Sequence, residues 1–122
     1  MSKKTAEFFL KMLEFFPATK EAYNESINEY GEILETVVIE DIFMPQLLKL
    51  LRENKERSLL ENIFRYFEEL LNGDDLHLIN LLSITVLEML GNDKKILEIA
   101  KQYMGIKTTA FQINCDKELG RI

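Results

Sequence analysis

The sequence predicts an all-α protein, a single domain (residues 1–122) of about six to seven helices stacked as antiparallel helical hairpins. Apolar residues recur every three or four positions through most of the chain, which is typical of amphipathic helices. The segment 76–90, LHLINLLSITVLEML, is apolar almost all round, as in a helix enclosed by others. Clusters of Gly, Asn and Asp at 72–75 and 91–93 can end one helix and cap the next. Connections this short make neighbouring helices antiparallel.

The first two helices are predicted on either side of Pro17. Ser2 or Thr5 can cap the first, which has an apolar stripe of phenylalanine, methionine and leucine. Pro17 ends this helix or begins the next one. From Ala18 onward apolar residues alternate with glutamates at helical spacing, and Gly31 is a point at which the second helix can be interrupted.

The segment 32–54 is ambiguous, because the β-branched run 36–39, TVVI, could form a strand. No second strand is predicted with which it could pair, so we expect a helix. Pro45 is costly deep inside a helix. We therefore expect a break between Asp41 and Met44; the alternative is a new helix that Asp41 caps and that carries Pro45 in its first turn.

Four further helices are predicted in the second half of the chain. Residues 56–72 are clearly amphipathic, and 76–90 follow as the central helix. Asp93 is placed to cap the next helix, which Gly105 closes. The last helix is predicted over 108–119, although its apolar residues also alternate as in a strand.

Composition and charge limit the possible functions. The chain has 15 basic and 21 acidic residues, a net charge of −6, so its surface disfavours nucleic acid and favours a basic protein partner. The single cysteine, Cys115, excludes an internal disulfide and fits a reducing compartment. Charged residues interrupt the apolar N-terminal run, and no apolar run is long enough to span a membrane. We expect a cytoplasmic protein that does not bind a membrane.

The sequence contains no recognisable catalytic or metal-binding pattern. His77 and Cys115 are the only histidine and cysteine, too few for a structural zinc site and without local support for a catalytic pair. Asp74 lies three residues before His77, but capping explains a single such pair better than a metal ligand set. The five glycines are scattered and form no phosphate-binding loop. We predict no enzymatic activity and no cofactor.

A protein-binding surface is the remaining possibility. His77, Asn80 and Glu88 fall on one narrow stripe of the helix 76–90, with only Ile84 between them. If this helix packs beside 56–72, the polar stripes of the two helices can join. The predicted partner-binding residues are Glu61, Glu68, Glu69, Asn72, Asp74, Asp75, His77, Asn80 and Glu88.

Three segments carry a resemblance to a known group of proteins: LENIFRYFEELLNGDD, NLLSITVLEMLGNDKKILEIAKQYMG and, more loosely, IEDIFMPQLLKLL. They resemble small, all-helical, HEAT-like bacterial immunity proteins of polymorphic or contact-dependent growth inhibition toxin systems. The resemblance implies a cytosolic protein without enzymatic activity that binds and blocks the C-terminal domain of a cognate toxin, often a nuclease. The acidic residues Glu68, Glu69, Asp74, Asp75 and Glu88 are then expected to take part in toxin binding.

Two other functions remain open at this point. A general helical adaptor or regulator would use the same architecture on another protein, and a gene for a large secreted protein with a variable C-terminal domain just upstream would favour immunity instead. An enzyme or metal-binding bundle would show a metal held by clustered glutamates and His77. A dry, close-packed interior would argue against it.

Overall fold

The computed structural model describes all 122 residues and contains seven helices and no strand. Helix α1 is Lys3–Phe15, and a 3₁₀ turn at Pro17–Thr19 leads into α2, Lys20–Tyr30. Helix α3 comprises Glu35–Val38, a π-helical turn at Ile39–Phe43 and Met44–Glu53; α4 is Arg57–Leu71. Helix α5 comprises Leu76–Leu82, a second π turn at Ser83–Leu87 and Glu88–Leu90; α6 is Lys94–Lys101 and α7 is Ile106–Glu118. The predicted all-α fold is confirmed.

Several helix ends follow the predicted sequence signals. The Ser2 side chain accepts a hydrogen bond from the Thr5 backbone N–H at the start of α1. Asp75 and Asp93 do the same at the starts of α5 and α6. Gly31 ends α2 in the left-handed conformation, with φ of 74°, which glycine adopts without steric cost. Local capping therefore fixes most of the boundaries.

The expected break before Pro45 is wrong, because α3 is continuous from residue 35 to 53. The Met44 backbone N–H bonds to the Ile39 carbonyl five residues back, so this hydrogen-bonded turn contains one residue more than an α-helical turn. This π turn places Pro45 at the start of the next α-helical segment, where its missing N–H costs little. The β-branched run 36–39 is helical, as predicted.

The contacts of α5 with its neighbours define the helix directions. His77 bonds to Glu35, and the two π turns pack against each other, so α3 and α5 run parallel. Antiparallel hairpins produce this arrangement of alternate helices. The alternate helices α5 and α7 differ from this pattern: Gln112 bonds to the Leu87 carbonyl and the Cys115 thiol approaches the Ser83 carbonyl, so these two helices run antiparallel.

One apolar core holds the helices together. It contains 26 buried apolar residues, and six of the eight phenylalanines are among them. Helix α5 contributes along most of its circumference, through Leu78, Leu81, Leu82, Val86, Leu87 and Leu90. Its exposed side carries His77, Asn80 and Ile84. The central position predicted for this helix is confirmed, and its polar stripe reaches the surface.

Candidate protein-binding surface

An aromatic contact joins α1 to α4 at the surface. The Tyr66 ring of α4 lies parallel to the Phe8 ring, with centroids 6.4 Å apart, and meets Phe15 edge-on at 5.9 Å. Phe8 is fully buried, whereas Tyr66 and Phe15 are half-buried. Tyr66 and Phe15 therefore each have a packed apolar ring with one edge that reaches solvent. Such a residue is suited to contact a partner at an interface.

Three glutamates act electrostatically on the Tyr66 phenol, and two cationic side chains, Lys11 and Arg65, line the same surface hollow as Tyr66. Burial, followed by the negative charges of Glu7, Glu69 and Glu14, raises the pKa of Tyr66 to about 12. All three glutamates are exposed. Only Glu14 has a cationic neighbour in ion-pair range, Lys11 at 3.4 Å. We call Tyr66 with Glu7, Glu14 and Glu69 the acidic patch. Its phenol stays protonated and can donate a hydrogen bond, and the carboxylates of Glu7 and Glu69 are free to meet cations, whereas Glu14 is paired with Lys11.

Only Glu69 of the acidic patch was among the predicted partner-binding residues. Glu7 and Glu14 are among the charged residues that interrupt the apolar N-terminal run. Their seven-residue spacing puts them on one face of α1, which is the signal that the sequence offered. The pairing of α1 with α4, which brings them to Glu69, is a tertiary contact that the sequence does not predict.

Glu68, the neighbour of Glu69, caps a helix and is not free. Its carboxylate accepts hydrogen bonds from the backbone N–H groups of Lys107 at 2.9 Å and Thr108 at 2.8 Å, and from the Thr108 hydroxyl at 2.7 Å. Burial acts to raise the pKa of Glu68, but the bonds from Thr108 and Lys107 together outweigh it and lower that pKa. Helix α7 starts after Gly105, so Glu68 supplies from α4 the cap that glycine lacks.

The aspartates before α5 also have intramolecular roles. Asp75 caps α5 through the Leu78 N–H at 3.1 Å and accepts the Ser2 hydroxyl at 2.6 Å. The Ser2 bond, followed by the Leu78 bond, lowers the pKa of Asp75. Asp74 is exposed and lies 3.4 Å from the Lys4 ammonium. Both aspartates thus bind the start of α1 to the start of α5.

The polar stripe predicted on α5 contacts another helix at its N-terminal end. His77 Nε2 lies 2.8 Å from Glu35 Oε1 and links α5 to α3. Asn80 is exposed, and Glu88 is half-buried with its backbone carbonyl accepting a bond from Arg121. The exposed side of α5 therefore retains Asn80 and the apolar Ile84, of which 44% is exposed.

Three of the nine predicted residues form hydrogen bonds to other helices. Glu68 contacts α7, His77 contacts α3 and Asp75 contacts the start of α1. Exposed residues without such a role are Glu61 and Glu69 on α4, Asn72 at its C-terminus and Asn80 on α5. The carboxylates of Glu61 and Glu69 are therefore exposed and make no contact that stabilises the fold, unlike those of Glu68 and Asp75.

The metal-binding and nucleophilic side chains are the last feature of the surface and interior. No three His, Cys, Asp or Glu side chains come together as a metal site. The Cys115 thiol is buried 3.9 Å from the Ser83 carbonyl, and burial, followed by the charge of Asp116, raises its pKa. A protonated, enclosed thiol is a poor nucleophile. None of the helices combines the length and apolar character that a membrane span requires.

Residues 9–118 match a protein family, the domain of unknown function DUF7674. The match covers most of the chain, and the protein belongs to this family. It includes the helices α2 to α7 and all of α1 from Phe9 onward. Comparisons with curated proteins and with solved structures returned no match.

Proposed function

We propose that this protein is an immunity protein, which binds the C-terminal domain of a cognate bacterial toxin in the cytoplasm and neutralises it without catalysis. The observation that carries the proposal is the acidic patch on α1 and α4. Exposed carboxylates lie near a half-buried aromatic ring there, with Lys11 and Arg65 beside it, and the unpaired Glu69 and the ring combine electrostatic attraction with an apolar anchor. The sequence resemblance to immunity proteins supplies the class of partner.

A nuclease toxin fits this surface best. A nuclease must be basic to hold its substrate, and the net charge of this chain is −6. A negative surface would be steered to that basic site and would cover it. Glu69 lies beside Tyr66 on the same helix and lines the same hollow, so α4 would present charge and aromatic contact together. The same surface could serve a general adaptor, which the growth test below separates from an immunity protein.

Growth rescue tests the biological role. Toxin domains encoded next to the gene would be expressed in bacteria with and without this protein. We expect one neighbouring toxin to stop growth and this protein to restore it. Failure to rescue growth from any neighbouring toxin would contradict an immunity function and leave the adaptor as the better explanation.

Charge reversal tests the acidic patch. Glu69→Lys should weaken the toxin complex by about tenfold, mainly through slower association, because it replaces an attractive charge by a repulsive one. Glu98→Lys is the matched control, since it makes the same change in net charge at an exposed residue of α6, a helix that packs on α3. Binding constants from surface plasmon resonance measure both effects. Equal losses in the two variants would remove the patch from consideration.

Glu68 should not be reversed in this test. Glu68→Lys would break the cap of α7, so a loss of binding would follow from a structural change as well as from charge. The single substitution at Glu69 avoids this problem.

A further inference from the structure

A row of four charged residues runs along the outer side of α4. Arg57, Glu61, Arg65 and Glu69 follow one another at intervals of four residues, and residues at this spacing form one ridge on the surface of a helix. All four are exposed. Their charges alternate in sign along the ridge. We call these four residues the charged row.

The charged row is not neutralised by ion pairs within the chain. None of its members lies in ion-pair range of an opposite charge, although neighbours in the row have a suitable spacing. Arg65 instead donates to Asn62 Oδ1 at 3.2 Å, and the Arg57 guanidinium lies 5.8 Å from the centre of the Tyr103 ring. The charges of the row are therefore available to an external partner.

Two hollows flank the charged row. One has a volume of about 240 Å³ and lies between α4 and α1, with Phe15 and Tyr66 in its wall. The other has a volume of about 330 Å³ and lies between α4 and the segment that joins α6 to α7, with Phe64 and Tyr103 in its wall. Arg65 lines both hollows. The row is thus a ridge with a partly aromatic groove on each side, a shape that packs against the ridge of another helix.

The other charges beside the charged row are engaged, with one exception. Lys11 is ion-paired with Glu14 at 3.4 Å, and Glu68 caps α7. Glu7 of α1 has no ion pair, and it contributes to the net charge of −6, which makes two copies of the chain repel each other at long range. Self-association therefore requires complementary contacts at close range.

The charged row is complementary to a second, antiparallel copy of itself. A two-fold axis that passes between Glu61 and Arg65 places Glu61 of each copy opposite Arg65 of the other, and Arg57 opposite Glu69. Every contact between the rows then joins opposite charges. A parallel arrangement in the same register would place each residue opposite itself. Helices that pack through such rows cross at about −50°, which aligns the two rows.

We propose that the protein forms a symmetric dimer in which the charged rows of two α4 helices pack antiparallel. The ridge of each copy enters the hollows of the other, against the edges of Tyr66 and Tyr103. Exposed ion pairs contribute little each, so the dimer is weak and reversible. The proposal concerns the chain alone and does not rest on the immunity function. Since Glu69 and Tyr66 also belong to the acidic patch, self-association would compete with toxin binding.

Sedimentation velocity of the purified chain tests the dimer. We expect reversible self-association between about 10 μM and 1 mM at physiological salt, which screens the long-range repulsion. Glu61→Arg should weaken the dimer by about tenfold or more, because it makes two contacts of each dimer repulsive. Glu98→Arg is the matched control, with the same change in net charge at an exposed residue of α6, and should not weaken it. A monomer over the whole range, or equal weakening by both substitutions, would overturn the proposal.

Two variants that do not self-associate should associate with each other. Across the axis, a dimer of Glu61→Arg places positive charges together and a dimer of Arg65→Glu places negative charges together. A mixture of the two variants restores both contacts between opposite charges. We expect a heterodimer about as strong as the unmodified dimer, detected with a fluorescent label on one variant. A mixture of Glu98→Arg with Arg65→Glu has the same net charges and should associate more weakly; equal association in the two mixtures, or none in the first, would contradict the antiparallel dimer.

Discussion

Glu68 is a single side chain that completes a helix to which it does not belong. Its carboxylate takes two backbone N–H groups and one hydroxyl at the start of α7. Gly105 is needed beside it, because a Cβ at that position would lie 2.5 Å from Glu68 Cδ. The pair therefore joins α4 to α7 by close approach and charge-assisted hydrogen bonds.

Glu68→Gln should lower the free energy of unfolding by about 1 kcal/mol at neutral pH, the usual cost of weakening a helix cap. Urea denaturation measures this, with Glu61→Gln as the exposed control on the same helix, expected within about 0.5 kcal/mol of the unmodified chain. A control as unstable as Glu68→Gln would contradict the capping role.

The same substitution has a predicted pH dependence. The folded-state pKa of Glu68 lies below its ordinary value of 4.5, so ionised Glu68 stabilises the folded state. The stability difference between the unmodified chain and Glu68→Gln should be complete above that ordinary value. It should shrink as the pH falls further, through the folded-state pKa. Denaturation curves over acidic pH values measure it, and a difference that grows on acidification would contradict the assignment.

Gly91 is a second residue at which close approach matters. A Cβ there would lie 2.3 Å from Arg121 Nη1 and 2.5 Å from Asp116 Oδ1. Its φ of −74° is ordinary, so the requirement is steric. Gly91→Ala should destabilise the protein by about 1–3 kcal/mol, the usual cost of overpacking. Thermal denaturation measures this. The double variant Gly91→Ala with Arg121→Ala should lose less free energy of unfolding than the two single variants together, because removal of the Arg121 side chain removes one of the clashes. Losses that are strictly additive would contradict this explanation.

Among the elements, α3 and α5 each contain a π turn, and the two turns pack together. Side-chain hydroxyls bond to backbone carbonyls in α5. Ser83 Oγ donates to the Ile79 carbonyl at 3.0 Å, and Thr85 Oγ1 to the Leu81 carbonyl at 2.6 Å. The wider turns let helices with a proline or with buried hydroxyl residues stay continuous through the core.

Thr85→Val should lower the free energy of unfolding by about 1 kcal/mol, because it keeps the shape of a fully buried side chain and removes its hydrogen bond. Ser83→Ala, at a half-buried position with a longer bond, should cost less. Chemical denaturation compares the two. A larger effect at Ser83 would contradict the role given to Thr85.

Local sequence signals predicted most of the helices and their caps. Contacts between helices could not be predicted from these signals. Asp93 caps α6 as predicted, and Asp75, one of two aspartates that the sequence allowed as the cap of α5, caps that helix, because a cap depends on residues a few positions apart. Pro45 was misread, because the π turn that accommodates it forms where α3 packs on α5. Glu68 was assigned to the surface, since its cap is to a helix about 40 residues later. The acidic patch was found only in part for the same reason.

At the scale of the whole molecule, the net charge of −6 attracts a basic partner. The acidic patch is a local feature, because α1 and α4 together carry as many basic as acidic residues: Lys3, Lys4, Lys11, Arg57 and Arg65 against Glu7, Glu14, Glu61, Glu68 and Glu69. Long-range attraction is therefore a property of the whole chain, and the patch acts at close range.

The association rate of the protein with its toxin domain, measured by stopped-flow fluorescence over a range of salt concentrations, tests the proposed function most directly. We predict fast association at low salt, a steep fall as salt rises, and a shallower fall for Glu69→Lys than for Glu98→Lys. An association rate that does not depend on salt, or the same dependence in both variants, would contradict binding through the acidic patch.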